Sequence, residues 1–131
     1  MNRDKKIILV IDDDIDYLEQ MKIQITSFGF LPILAESQKE GEEKINEIKP
    51  DLVIVDLMME NQDSGFIFCY KIKKKFPEVP VIIASAVTAE TGMIFGLNSE
   101  EDRNWIKADQ YLEKGIRPDQ LQREINKLLK L

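Results

Sequence analysis

The sequence contains no histidine and one cysteine, Cys69. Histidine-based catalysis and histidine metal sites are thereby excluded, no internal disulfide can form, and a reducing cytoplasm is the natural compartment. No apolar stretch approaches the roughly 20 residues of a membrane-spanning helix, and the N-terminus lacks a signal-peptide apolar region. Positive charge is in deficit. Lys and Arg number 18 against 24 Asp and Glu, for a net charge of −6, which argues against general nucleic-acid binding. The one dense basic stretch, Lys71, Lys73, Lys74 and Lys75, falls in the last turns of a predicted helix, where cations suit the helix dipole. It reads as a solvated helix end. The hydrophobic fraction of 44% and charged fraction of 32% belong to a globular chain, and 131 residues suit one domain, 1–131, with one core.

What is present is an alternation of short apolar runs with helix-period segments. Ile7–Ile11, Leu52–Val55 and Val81–Ala84 are near-continuous apolar runs, the pattern of parallel strands buried on both faces. Leu31–Ala35 and Gln110–Glu113 complete a set of five strands. Helices are predicted over about Ile15–Ser27, with Ile15, Leu18, Met21 and Ile25 as its apolar residues and Gly29 ending it. A second follows Ser37, with Glu40 at the capping-box spacing, and ends before Lys49-Pro50. A third covers about Gly65–Lys75, with Phe68, Cys69, Ile72 and Phe76 on one face. The last starts at Pro118 with Leu121, Ile125 and Leu128 as its stripe. Ser99-Glu100-Glu101-Asp102 reads as one more helix start. Such alternation implies right-handed crossovers and a doubly wound α/β sheet.

Ligands in such sheets bind beyond the carboxyl ends of the strands. Asp12-Asp13 closes the first strand, Asp56 the third, Ser85 the fourth and Lys114 the fifth. Three carboxylates, a hydroxyl and an ammonium are thus expected at one edge, the makings of a metal-assisted phosphoryl-transfer site. Each residue also has a plainer reading. Acidic residues favour helix starts, and Asp14 is assigned there as a cap or first-turn residue. Ser85 and Tyr111 taken alone read as a strand-end hydroxyl and a half-buried aromatic, and Cys69 as a small core residue.

Four segments, Ile8–Asp14, Asp51–Met59, Val81–Ala86 and Asp109–Lys114, together resemble the response-regulator receiver domain of two-component signalling, over essentially the whole chain. The resemblance implies a flavodoxin-like five-stranded sheet of order 2-1-3-4-5. It implies that Asp56 is the phosphoacceptor, that Asp12 and Asp13 hold Mg²⁺ with Asp56 and the Met58 backbone carbonyl, and that Lys114 pairs with a phosphoryl oxygen. Ser85 would then donate to the phosphoryl group, and Tyr111 would repack when that serine moves. The implied partners are a sensor histidine kinase or phosphotransfer protein upstream and a protein target downstream, with no direct nucleic-acid or membrane contact. The chain would catalyse only its own phosphorylation and dephosphorylation. No output domain fits this length, so the signal would pass by protein contact, or the chain was cut from a longer protein.

The chain departs from the family pattern in three places. Glu60 stands where proline is usual, in an acceptor loop one residue longer before Gly65. Gly115, not proline, follows Lys114, and the roughly 3–4 kcal/mol cost of a non-proline cis bond favours trans. The stretch from Ser85 to Lys114 is longer than usual. Its segment Ala86–Lys107, with Met93, Ile94, Phe95 and Trp105, is expected to form the distinctive signalling surface; the plainer reading is that these apolar residues anchor a longer loop to the core. Two other functions are weighed: a pseudo-receiver that interacts without phosphorylation, and a haloacid-dehalogenase-type phosphatase using Asp12 with Asp14.

Overall fold

The computed structural model describes residues 5–57, 64–85 and 109–131, and the side chains of all of these but 64–66. Met58 and the segment Ala86–Lys107, with the helix start read at Ser99, lie outside the described residues. The elements are β1 (Ile7–Ile11), α1 (Ile15–Ser27), β2 (Leu31–Ala35), α2 (Gln38–Glu47), β3 (Leu52–Asp56), α3 (Ser64–Lys75), β4 (Val81–Ser85), β5 (Gln110–Glu113) and α4 (Pro118–Leu129). All strand pairs are parallel, in the order β2-β1-β3-β4-β5. The order is that of the flavodoxin-like fold anticipated from the sequence.

Alternation along the strands builds two apolar layers. Leu9, Ile11, Val53, Val55, Val81 and Ile83 face α2 and α3, where Phe68, Cys69 and Ile72 complete the core. Ile8, Val10, Leu52, Ile54, Ile82 and Ala84 face the opposite side, with Leu18, Met21, Ile25, Leu121 and Ile125 of α1 and α4. Burial on both faces is why β1, β3 and β4 read as unbroken apolar runs. Cys69 is fully buried, and burial pushes its thiol up to about 12, as befits a small core residue.

Local sequence sets the helix limits. Asp14 caps α1, its Oδ1 accepting from Asp16 N at 3.0 Å and Tyr17 N at 3.3 Å. Gly29 follows the helix at φ +93°, a conformation that favours glycine. Ser37 Oγ caps α2 by accepting from Glu40 N at 3.0 Å, while Glu40 reaches back to Glu36 N at 3.1 Å. Gly41 brings α2 close to the sheet: a Cβ there would lie 2.7 Å from Ile11 Cδ1 and 3.1 Å from Phe68 Cε2.

Two expectations are corrected. Ile15 is 58% exposed and is not part of the α1 core stripe. It lies roughly a quarter turn from the mean direction of Leu18, Met21 and Ile25, in the first turn of the helix. Nor is the whole lysine cluster a solvated helix end. Lys73 Nζ is 2.6 Å from Asp109 Oδ2 and donates to Val79 O at 2.8 Å, with its side chain only 17% exposed.

That ion pair belongs to a device used twice at the amino edge of the sheet. Asp51, just before β3, donates its N–H to Ile7 O at 2.8 Å, and its Oδ2 accepts from Ile7 N at 2.7 Å. Asp109, just before β5, does the same with Val81, through contacts of 2.9 and 2.8 Å. Each aspartate supplies an acceptor for the first N–H of a neighbouring strand, a donor that would otherwise have no ladder partner.

Candidate functional site

Register alone carries the candidate residues to one place. Ile11 lies opposite Val55, so Asp12 emerges beside Asp56. Asp56 lies opposite Ala84 and Ser85 opposite Glu113, which sets Ser85 and then Lys114 next along the same carboxyl edge. Backbone bonds fasten the arrangement. Asp12 N donates to Ala35 O at 3.0 Å, Leu57 N to Ala84 O at 2.9 Å, and Lys114 N to Ser85 O at 2.9 Å.

The side chains converge as the sequence suggests. One oxygen from each of Asp12, Asp13 and Asp56 lies within 4.8 Å of the others. Asp12 is completely buried and Asp56 is 7% exposed, whereas Asp13 is exposed. Lys114 Nζ bridges the two buried carboxylates, 2.6 Å from Asp12 Oδ2 and 3.1 Å from Asp56 Oδ1. Asp12 Oδ1 is occupied by Asp14 N at 2.9 Å. Asp12 Oδ2 is engaged by the Lys114 ammonium at 2.6 Å, a contact whose alignment falls short of a good hydrogen bond.

Burial dominates the electrostatics. It raises the Asp56 carboxyl from its ordinary value to about 6, assisted by the charge of Asp12 and opposed by Lys114. Asp12 is raised for the same first reason, although Lys114 and the Asp14 N–H pull it back. At Lys114 burial works against the charged form, yet the two carboxylates outweigh it and the ammonium is held above its usual range. Among the described residues, three carboxylates against one ammonium leave two negative charges uncompensated, the charge of one divalent cation. The donors are all oxygen, and Asp13 faces solvent. A hard cation that keeps part of its water shell fits such a set.

Ser85 and Tyr111 lie on one face of the sheet. Strand alternation puts the Ser85 side chain on the same sheet face as Ile83, and Tyr111, opposite Ile83, packs half-buried against that layer. The Lys114–Gly115 bond is trans, since no cis peptide occurs among the described residues. A Cβ at Gly115 would meet nothing within 4 Å, so space does not require glycine there. Asp14 caps α1 through its carboxylate, which weighs against the Asp12/Asp14 phosphatase reading, where it would act as a general acid.

One neighbour of the site escaped the sequence reading. The ring centroid of Tyr17 is 4.9 Å from Lys114 Nζ. Its position in the first turn of a helix that starts at the acidic pair was the available signal.

Comparison with known proteins agrees with this geometry. The profile of the response regulator receiver domain matches residues 8–126. The chain is 27% identical to a probable transcriptional regulator, ycf27, of Guillardia theta, over 96% of this chain and 46% of that protein. It is 28% identical to the DNA-binding response regulator MtrA of Mycobacterium bovis, over 92% of this chain and 49% of that protein. It thus spans about half the length of these curated relatives. Among solved structures, response regulator protein TrrA of Thermotoga maritima, in complex with Mg²⁺ and BeF, superposes with a TM-score of 0.77 at 27% identity, covering 94% of this chain and 98% of that one.

Proposed function

This chain belongs to the response regulator receiver domain family, and on that premise we propose that Asp56 accepts a phosphoryl group from a sensor histidine kinase or phosphotransfer protein. The observation that carries the reading is the Lys114 ammonium set between the buried carboxylates of Asp12 and Asp56 at the carboxyl edge of the sheet. A structural ion pair needs one carboxylate. Two with a third beside them are a standing liability, which a phosphoryl-transfer site puts to use.

In the reaction an Asp56 carboxylate oxygen forms a bond to phosphorus while the bond from phosphorus to the donor nitrogen breaks, its electron pair leaving on the donor imidazole. Deprotonated Asp56 is the nucleophile; burial holds its carboxyl up at about 6 in the metal-free chain, and a divalent cation beside it would favour the ionised form. Lys114 makes and breaks no bonds. It would turn from the carboxylates toward the phosphoryl oxygens as their charge reaches it. Mg²⁺ held by Asp12, Asp13, Asp56 and the Met58 carbonyl would supply the counter-charge that lets these carboxylates and a phosphoryl group share one site. Ser85 would donate to the phosphoryl group, and Tyr111, on the same face, would repack in answer.

The output is a contact with a downstream protein. Direct nucleic-acid contact by this domain is disfavoured by its net charge of −6, and a cytoplasmic place follows from the partner class. No described helix is long and apolar enough to cross a membrane.

The test is to incubate the chain with acetyl phosphate and Mg²⁺ and locate the modification by mass spectrometry. Modification at Asp56, lost in Asp56→Asn and in EDTA, is the expected result. Modification at Asp12 would support the phosphatase reading, and none at all, with no response to beryllofluoride, the pseudo-receiver.

A further inference from the structure

We propose that Tyr17 is a positioning residue for Lys114: its ring stands beside the ammonium and holds that cation over the carboxylate cluster, preplaced for transfer to Asp56. The inference rests on the reading of Asp56 as phosphoacceptor.

Among the described residues, Lys114 Nζ lies near Asp12 Oδ2 at 2.6 Å, Asp56 Oδ1 at 3.1 Å and the Tyr17 ring centroid at 4.9 Å. The last distance is inside the ~6 Å range over which a ring face attracts a cation. The carboxylates draw the ammonium into the cluster, and the ring bounds it from the α1 side.

The ring is itself held. Its residue lies in the first turn of α1, with the N–H directed at Asp14 Oδ1, the cap that follows Asp12 and Asp13 in the chain. Its side chain is half-buried and packs against the apolar layer that α1 and α4 share, which includes Leu18, Met21 and Leu121. Burial, with the charges of Asp12 and Asp56, pushes the phenol's ionisation well above its usual range. The ring therefore stays neutral and presents an electron-rich face instead of another negative charge.

This restraint matters because the turn after the lysine fixes the main chain, through Ile116 N donating to Glu113 O at 3.3 Å, and not the lysine stem. Gly115 has no side chain to pack beside that stem, and a Cβ there would touch nothing. A lysine stem has several rotatable bonds and loses rotamer freedom when fixed. Tyr17 supplies from the side a restraint that the next residue does not.

The experiment is a double-mutant cycle in the full chain. Phosphorylation of Asp56 by acetyl phosphate at saturating Mg²⁺ is timed in the parent, Tyr17→Leu, Tyr17→Phe, Lys114→Ala and the Tyr17→Leu/Lys114→Ala double variant. Tyr17→Leu is expected to slow the reaction about three- to tenfold, Tyr17→Phe to match the parent, and Tyr17→Leu to add nothing once Lys114 is alanine. Alongside, the Lys114 Cε protons are followed by NMR. They should shift downfield in Tyr17→Leu, as ring shielding is lost, and stay in place in Tyr17→Phe. An equal slowing in the Lys114→Ala background, or an unmoved Lys114 resonance in Tyr17→Leu, would overturn the proposal. The resonance needs no phosphorylation, so if the parent takes no phosphoryl group on Asp56 the functional reading fails while the pairing is still decided. If leucine unfolds the chain, pentafluorophenylalanine at position 17 keeps the ring but reverses its face. It should then behave as leucine was expected to, and parent-like behaviour would reject the idea.

Discussion

Lys114 leans toward Asp12, 2.6 Å away, and not toward Asp56 at 3.1 Å, so the resting cation is drawn most strongly by the carboxylate that is not the proposed acceptor. Removing it leaves two buried carboxylates unpaired. Lys114→Ala is expected to lose on the order of 2–4 kcal/mol of stability at pH 7 in EDTA, with part of the loss recovered when Mg²⁺ is added. Urea titrations with and without Mg²⁺ measure both. A variant as stable as the parent in EDTA would mean that the carboxylates protonate freely and the ion pair matters little.

Asp56 makes the stability of the metal-free chain depend on pH with a definite sign. Burial first, and Asp12 second, raise its folded-state value from 3.8 to about 6. The folded chain then binds this proton more tightly than the unfolded chain does. Stability is greatest below about pH 4 for this group, falls between about 4 and 6, and stays lower above that, by roughly 3 kcal/mol at most. Asp56→Asn is therefore expected to be more stable than the parent at pH 7.5 in EDTA, by about 1–3 kcal/mol, with the difference vanishing near pH 4. A less stable variant at pH 7.5 would show that pairing with Lys114 outweighs burial. Asp13 is exposed, so Asp13→Asn should affect metal affinity and leave metal-free stability nearly unchanged.

The close seat of α2 can be tested by adding one methyl group. In Gly41→Ala the new Cβ meets Ile11 Cδ1 at 2.7 Å unless something shifts. The gain in helix propensity is about 1 kcal/mol, whereas overpacking costs about 1–3. A net loss of about 1 kcal/mol in thermal or urea unfolding is expected. A stabilised variant would mean that the Ile11 side chain swings clear.

At the opposite edge, Asp109→Ala removes the acceptor for Val81 N and the partner of Lys73. It should cost about 1–3 kcal/mol and expose the Val81 amide to faster hydrogen exchange. Asp109→Asn keeps a side-chain oxygen and should retain most of the amide protection. Equal protection in parent and alanine variant would rule out the latch.

The strands and their common edge were readable because apolar runs buried on both faces leave little ambiguity. Parallel pairing then placed Asp12, Asp56, Ser85 and Lys114 together without any side-chain information. Burial of single helix residues was harder to read. Ile15 fits a loose apolar stripe, but it sits in the first turn a quarter turn off axis and is exposed. Lys73 looked like its neighbours in sequence, yet its ion pair with Asp109 joins residues far apart in the chain. Tyr17 escaped for the same reason. Its partner Lys114 comes from the other end of the sequence, and no local period announces a ring set beside a distant cation.

The Asp109 latch has a consequence for how a signal can leave. β5, at an outer edge of the sheet, is fastened below by Asp109 to Val81 and above by Lys114 N to Ser85 O. It behaves as a short beam clamped at both ends. Sliding it along its length would break both clamps and set Tyr111 and Leu112 on the wrong faces. If Asp56 takes a phosphoryl group as proposed, the added charge would then act crosswise, through side chains turning between strands that keep their register.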